Sequence, residues 1–207
     1  MVVSRQKPVR ARIASLNTAA QQLNSNGGVS TPFSLAFLTD CKRIPNPEII
    51  LRLLPKGVAV VLRDYKMPKR AAYARRLKSI CHTRGLKLIV GGDIALARTI
   101  KADGIHIPTW FAPNNSDFND LIVTASCHSA KELVRAGQFG ADIAFLSPAF
   151  PTESHPRTTH LGSAHFQRMA VGSPIPILGL GGIDAYNAGK IAGPNVAGFG
   201  AIGAFDV

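Results

Sequence analysis

Residues 176–183 read PILGLGGI and residues 196–203 read VAGFGAIG, and these two runs decide the fold of the chain. Each is a short apolar segment that ends in glycine. Glycine leaves the backbone N–H groups bare to a ligand, and a following helix N-terminus would add partial positive charge. Two such strand ends in succession are typical of the phosphate-binding loops after strands seven and eight of a (β/α)8 barrel. The alternative is that the glycines only permit tight turns and close packing.

Upstream of these runs, short apolar segments alternate with segments of helical periodicity. Continuous apolar strands separated by crossover helices predict a parallel sheet buried on both faces, and eight strands predict closure into a single (β/α)8 TIM barrel. The predicted strands are 33–39, 58–62, 87–90, 104–107, 121–125, 143–146, 175–178 and 196–199. The predicted helices are 47–54, 69–84, 94–101, 129–139, 163–170 and 185–191. The last helix of the barrel is truncated or missing, and a homodimer is one way to cover the gap.

The N-terminal residues 1–31 form a basic extension ahead of a barrel domain that is predicted for residues 32–207. The extension has no acidic residue, since the first one in the chain is Asp40. Apolar residues recur at helical spacing over 9–24, which predicts an amphipathic helix. Three interpretations stay open, namely a helix that covers the floor of the barrel, a partly disordered arm, and an organellar transit peptide.

Composition restricts the class of protein. A chain of 207 residues suits one domain, and 24 Lys and Arg against 12 Asp and Glu give a net charge of +12. The basic residues are scattered and no zinc-finger or helix-turn-helix spacing is present, so an anionic metabolite is favoured over nucleic acid as the partner. The three cysteines form no CxxC pair, which favours a cytoplasmic location, and no apolar run is long enough to span a membrane.

Polar side chains at the carboxyl ends of the predicted strands are the candidates for chemistry, because function in a (β/α)8 barrel is located there. Arg63 and Lys66 follow the second strand, where two cations suit an anionic substrate. A solvated pair beside Asp64 is the alternative. His128 precedes a predicted helix and is the candidate catalytic residue, acting as a general acid or base. Its alternative role is a helix cap.

Four motifs, in order along the chain, resemble those of one known family. Residues 102–107 read ADGIHI, 126–129 read SCHS, 140–142 read GAD ahead of SPAFPT at 147–152, and 175–183 read IPILGLGGI. These are similar to the ADG-[VI]-H-[LI], S-x-H-[ST], GAD…GP-[VI]-[FY]-PT and IP-[VI]-x-AIGGI motifs of thiamine phosphate synthase and its thiazole tautomerase relatives. The resemblance extends over residues 33–205.

The resemblance implies a (β/α)8 barrel of cytoplasmic thiamine biosynthesis that acts on small phosphorylated substrates. Gly181, Gly182, Ile202 and Gly203 would hold the phosphate of a hydroxyethylthiazole phosphate. In the synthase branch, magnesium and a hydroxymethylpyrimidine diphosphate are implied as well. The other candidate substrate-binding residues at the strand ends are Arg63, Lys66, His106, Ser126, Thr152, Ser154 and His155.

The chain departs from the synthase pattern at the metal site. Gly91-Gly92 stands where synthases have an Asn-Asp pair, and Asp93 comes one position late. Phe111 aligns with the second magnesium-binding aspartate. Magnesium usually takes one or two carboxylates, and both carboxylate ligands of the family are absent from these positions. Asp93 is the candidate metal ligand, which a small backbone shift would recruit.

The chain also departs where synthases bind the diphosphate. Val61 replaces the glutamine of the family's Q-x-R-x-K run, Lys66 is displaced by one position, and His155 replaces a lysine. Three hypotheses follow. The protein is a thiamine phosphate synthase or a metal-independent thiazole phosphate tautomerase that uses His128; it is a regulatory or carrier barrel that binds a phosphorylated ligand without chemistry; or it is a barrel enzyme for another phosphorylated substrate.

Overall fold

The predicted barrel is confirmed by a computed structural model, which describes residues 8–111, 118, 120–152 and 159–206. The strands are β1 Leu35–Leu38, β2 Ala59–Leu62, β3 Lys87–Gly91, β4 Gly104–Ile107, β5 Ile122–Cys127, β6 Ile143–Leu146, β7 Ile177–Gly179 and β8 Val196–Ala201. The α-helices within the described ranges are α1 Val9–Gly27, α2 Pro47–Leu53, α3 Arg70–Arg84, α4 Ile94–Thr99, α5 Ala130–Gln138 and α6 Gly162–Val171. Neighbouring strands pair in parallel and β1 pairs with β8, so the sheet closes into a single (β/α)8 TIM barrel.

Side chains from opposite walls meet in the interior of the barrel. The ring of His106 on β4 contacts the ring of Phe145 on β6 edge-on, with centroids 5.6 Å apart. Phe145 and Leu38 in turn reach the bare Cα of Gly200 on β8, where a Cβ would lie 2.8 Å from atoms of both side chains. The barrel is therefore filled by packed side chains, and a ligand can enter only above this layer.

Helix α1 lies along the outer face of β8, in the layer where the eighth helix of a barrel would lie. Its buried residues are Ile13, Leu16, Ala20, Leu23 and Gly27. Near the end of the helix, the Asn24 side chain donates a hydrogen bond to the carbonyl of Ala197 at the start of β8. The helix also contacts the 3₁₀ turn Gly203–Phe205 that follows β8. A helix beneath the floor of the barrel is therefore the wrong interpretation, and a second copy is not needed to cover β8. The homodimer stays a prediction.

The predicted helix at 185–191 is wrong, because the structure has there a 3₁₀ turn at Ala188–Ile191. Oδ1 of Asp184 accepts hydrogen bonds from the backbone N–H groups of Tyr186 and Asn187, which closes a tight polar turn ahead of it. Gly193 and Pro194 then stop any further turn. No α-helix therefore begins directly after either glycine run in the described residues. The partial positive charge that a helix N-terminus would add is absent there, and an anion would have to be bound by the loops themselves.

In the part of the chain that the structure describes, no helix combines the length and the apolar character that crossing a membrane requires.

Candidate active site

A cavity of about 510 Å³ opens at the carboxyl ends of the strands. Its walls come from the residues that follow β1, β2, β5, β6, β7 and β8. Among the described residues, none from β3, β4 or the loops after them lines it. The volume is in the range of small-molecule sites, and its position at the mouth of the barrel is where such sites occur.

Both glycine runs reach this cavity through their carboxyl ends. Gly181 and Gly182 after β7 line it together with Ile202 and Gly203 after β8. Within the described ranges, the backbone N–H groups of Gly181, Gly182 and Gly203 donate to no other protein group. Unpaired amide groups on two adjacent loops at a cavity wall are donors that suit an anion. The role of these four residues in binding phosphate stays a prediction.

Close packing requires glycine at position 182. Its φ is +64°, and a Cβ at this position would collide with the carbonyl oxygen of Pro151. The packing interpretation of the glycine run therefore holds at Gly182, where the 148–151 segment approaches the loop closely, and phosphate binding by the same loop stays a prediction.

Asn187 fastens the same loop, and the sequence analysis missed it. Its Oδ1 accepts a hydrogen bond from the backbone N–H of Asp184 at 2.9 Å, and its Nδ2 donates to the carbonyl oxygen of Gly182 at 2.7 Å. The sequence does contain a signal for this turn, because Asp184 and Asn187 stand three residues apart just after the glycines. That spacing is typical of a turn closed by side chains.

His128 lines the cavity just after β5. Its Nδ1 lies 2.8 Å from the carbonyl oxygen of Ser147 and 3.2 Å from the hydroxyl oxygen of the same residue. Because the carbonyl can only accept, the shorter contact requires a proton on Nδ1. Nε2 is then the basic nitrogen, and no described residue gives it a hydrogen-bond partner. The ring lines the cavity in an orientation that a general base would need, and the catalytic role of His128 stays a prediction.

The helix cap beside it is Ser129, so the alternative role of His128 as the cap of α5 is wrong. The Ser129 hydroxyl oxygen accepts a hydrogen bond from the N–H of Glu132 at 3.3 Å. Glu132 in return accepts from the backbone N–H of His128 at 2.5 Å. This reciprocal arrangement, close to a capping box, fixes the backbone that carries the imidazole.

Arg63 and Lys66 have different positions. Arg63 is half-buried and lines the cavity, whereas Lys66 is exposed and not part of the wall. Asp64 does not pair with either of them, because its carboxylate accepts from the Thr39 hydroxyl at 2.6 Å and from the Cys41 N–H at 2.9 Å. Of the two predicted cations, the structure brings only Arg63 to the site.

His106 and Ser126 lie inside the barrel, and neither lines the cavity. The Thr124 hydroxyl donates to a backbone carbonyl, so His106 Nδ1–H donates to Thr124 at 2.9 Å and the Ser126 hydroxyl donates to His106 Nε2 at 2.8 Å. Burial, together with the positive charge of Arg63, lowers the pKa of His106 to about 3. His106 is therefore a neutral, satisfied core residue.

The comparison with protein families decides the membership of the chain. A family model described as thiamine monophosphate synthase matches residues 35–205. The chain belongs to this family.

Relatives within the thiamine monophosphate synthase family share about a third of the aligned residues. A thiamine-phosphate synthase of Bacillus velezensis is 31% identical over 128 residues, which covers 59% of this chain and 57% of the relative. A thiamine-phosphate synthase of Bacillus cereus is 32% identical over 146 residues, which covers 67% and 66%. The chain therefore aligns with less than two-thirds of the length of these relatives. The solved thiamine phosphate pyrophosphorylase of Pyrococcus furiosus has the same fold, with a TM-score of 0.67 at 21% identity over 82% of this chain and 85% of that one.

The resemblance to thiamine phosphate synthases implies magnesium, and Asp93 was the candidate ligand. Oδ1 of Asp93 accepts a hydrogen bond from the N–H of Leu96 at 2.9 Å and caps α4. Oδ2 of Asp93 lies 3.4 Å from Nη1 of Arg70. Both carboxylate oxygens therefore have protein partners, and Asp93 acts here as a helix cap and ion-pair partner.

Arg70 fills the corner between the ends of β2 and β3. Its side chain is 12% exposed, and its guanidinium donates to the carbonyl oxygens of Gly91 at 2.7 Å, Leu62 at 3.3 Å and Asp64 at 3.1 Å. A fixed positive charge at this place repels a divalent cation. Within the described residues, no group of three His, Cys, Asp or Glu side chains could hold a metal. The described residues at the ends of β2 and β3 therefore offer magnesium no unpaired carboxylate.

Of the remaining predicted residues, one lies in the cavity wall and two lie outside the described residues. Thr152 lines the cavity. Ser154 and His155 lie outside the described residues, and their substrate-binding role stays a prediction. Three charged cavity residues were missed, namely Arg43 after β1, Asp184 after β7 and Asp206 near the C-terminus. Nothing in the local sequence distinguishes Arg43 from the exposed Lys42 beside it.

Proposed function

We propose that this member of the thiamine monophosphate synthase family is a metal-independent isomerase that moves a proton within a phosphorylated heteroaromatic ring, in the manner of a thiazole phosphate tautomerase. The observation that carries the proposal is that His128 and both glycine loops line one cavity. A proton transfer of this kind needs a base and a fixed substrate, and no second substrate.

The glycine loops anchor the substrate. The bare N–H groups of Gly181, Gly182 and Gly203 donate to the phosphate oxygens, and Arg63 adds positive charge at the cavity wall. Anchoring the phosphate holds the ring at a constant distance from His128. Such positioning lowers the entropic part of the barrier.

His128 moves the proton. Nε2 takes a proton from a ring carbon, the electron pair of that C–H bond shifts through the conjugated ring, and the imidazolium returns a proton to a second carbon. The Ser147 carbonyl, which accepts from Nδ1–H at 2.8 Å, stabilises the imidazolium between the two steps. Negative charge that develops on the ring is stabilised by Arg63. Only a proton changes place, so the reaction balances without a co-reactant.

Synthase activity is the second candidate, and the family match and the names of the relatives favour it. Coupling a pyrimidine diphosphate to a thiazole phosphate releases diphosphate, whose charge a metal ion normally stabilises. The Arg70–Asp93 pair counts against such a metal. The three free cysteines support the cytoplasm as the location of either reaction.

Deuterium exchange tests the proposal. Hydroxyethylthiazole phosphate is incubated with the enzyme in D₂O and chelator, and exchange of its ring-system protons is followed by NMR. His128→Asn should slow the exchange by about 10²- to 10⁴-fold, the usual contribution of a general base, while the affinity for the ester stays within a few-fold. His165→Asn, an exposed histidine on α6, is the matched control and should exchange like the wild type.

Each other outcome assigns a different function. Formation of thiamine phosphate from the two synthase substrates, stopped by chelator, would overturn the proposal in favour of synthase. Binding of the ester with neither exchange nor coupling would overturn the proposal in favour of a regulatory or carrier barrel that binds a phosphorylated ligand and catalyses no reaction.

A further inference from the structure

Arg43 lies in a turn whose backbone is fixed by Asp40. The N–H groups of Arg43 and Ile44 donate to the Asp40 carbonyl oxygen at 3.0 and 2.8 Å, and the Lys42 N–H donates to the Asp40 carboxylate. This turn follows β1, next to β8 in the closed barrel. Arg43 is half-buried and lines the cavity, whereas Lys42 in the same turn is exposed.

The guanidinium of Arg43 lies directly over Gly203. A Cβ built at Gly203 would be 2.6 Å from Nη2, 3.4 Å from Cζ and 3.6 Å from Nη1. The backbone of Gly203 is not in the left-handed region, so its conformation alone does not demand glycine. What the missing side chain provides is room for the guanidinium beside the bare N–H of the loop.

We propose that Arg43 is a phosphate-binding residue that works together with the Gly203 amide; the inference rests on the proposed function, because it assigns a further residue to the same anion site. Backbone amides offer only partial charges to a phosphate dianion. A guanidinium adds a full charge and a planar pair of donors that matches two phosphate oxygens.

The other charges around the cavity leave this role to Arg43. Arg63 follows β2, which does not pair with β8, whereas the turn of Arg43 follows β1, the neighbour of β8. Asp184 lines the wall, but its Oδ1 already accepts from two backbone N–H groups. Asp206 also lines the cavity, and a carboxylate repels a phosphate dianion.

Titration calorimetry with inorganic phosphate at alkaline pH measures the effect. Arg43→Ala should weaken phosphate binding by about 10- to 100-fold, as expected for loss of a charge-assisted hydrogen bond. Arg43→Lys should recover part of the affinity, because it keeps the charge and loses the paired donors. Lys42→Ala removes the same charge from the same turn and should bind phosphate like the wild type.

A double-mutant cycle tests the contact itself. In Gly203→Ala the new Cβ displaces the flexible end of Arg43 and keeps the net charge and the amide. The single variant should therefore bind phosphate almost as weakly as Arg43→Ala. In the Arg43→Ala background, Gly203→Ala should add little further loss.

The outcomes separate this inference from the proposed function. If Arg43→Ala binds phosphate as the wild type does, or if the two substitutions act additively, the role of Arg43 is refuted and the glycine loops stand. If the wild type binds no phosphate, the anion site and both proposals fall. If phosphate binding depends on Arg43 but His128→Asn leaves proton exchange unchanged, the inference stands and the catalytic assignment fails.

Discussion

Nη1 of Arg70 lies 3.4 Å from Oδ2 of Asp93, and this ion pair closes the mouth of the barrel between β2 and β3. The same guanidinium lies 5.8 Å from the centre of the Tyr65 ring, and Tyr65 packs edge-on against Trp110. The mouth between the ends of β2 and β3 is thus filled by a fixed cation and aromatic rings, whereas the cavity is lined by residues that follow β1, β2 and β5 to β8.

Divalent metal should not contribute to ligand binding. Titration with Mn²⁺, followed by the loss of its free EPR signal, should show no stoichiometric binding to the wild type, because Arg70 repels a second cation at Asp93. Chelator should likewise leave the affinity for phosphate unchanged. Saturable binding of Mn²⁺ that Asp93→Asn abolishes would contradict the role assigned to Arg70.

Arg70 should also contribute to stability. Arg70→Met removes the donor from three backbone carbonyls and leaves Asp93 without its cation, and should lower the free energy of unfolding by about 2–3 kcal/mol. Urea denaturation followed by circular dichroism measures the change. Arg75→Met on the exposed face of α3 is the control and should alter stability by less than about 0.5 kcal/mol. Equal effects of the two substitutions would mean that the contacts of Arg70 do not stabilise the fold.

Asn187 should affect ligand affinity through the loop that it fastens. Asn187→Ala removes the hydrogen bonds to Asp184 and Gly182, and loss of about 1 kcal/mol of loop order corresponds to roughly five-fold weaker phosphate binding. Asn187→Asp keeps an acceptor for the Asp184 N–H but cannot donate to the Gly182 carbonyl. It should therefore weaken binding at least as much as Asn187→Ala. Wild-type affinity in Asn187→Asp would show that the bond to Gly182 does not hold the loop.

The strands could be predicted because each one is a continuous apolar run between turn residues, and both faces of a parallel barrel strand are buried. The two glycine loops could be predicted because the glycines directly follow two of these apolar runs in the sequence. The location of α1 could not, since the periodicity of residues 9–24 defines a buried face and does not say which strand will cover it. Arg43 and the Arg70–Asp93 pair escaped notice because each depends on residues far apart in sequence. The helix predicted at 185–191 failed because side-chain hydrogen bonds of Asp184 and Asn187 close a tighter turn.

His106 should make the fold sensitive to acid. Its pKa of about 3 in the folded state lies below the ordinary value of 6.5, so the unfolded chain binds more protons between these values and stability falls as the pH is lowered. The contribution is fully present above the ordinary pKa and decreases by about 1.4 kcal/mol per pH unit below it. His106→Gln should lack this slope when urea denaturation is compared between neutral pH and the onset of carboxylate titration. Parallel pH profiles for the two proteins would refute a buried neutral His106.

Helix α1 should behave as part of the barrel core. Leu16 is 1% exposed and packs in the layer that covers β8, so Leu16→Ala should lower the free energy of unfolding by about 2–5 kcal/mol, as for other large-to-small core substitutions. Gln22→Ala on the exposed face of the same helix is the control, and alanine there should be neutral or slightly stabilising. A Cβ at Gly27 would collide with the backbone of Val196, so Gly27→Ala should destabilise the protein although alanine favours helix. If Leu16→Ala and Gly27→Ala both have the wild-type free energy of unfolding, the packing of α1 on β8 does not contribute to the stability of the barrel.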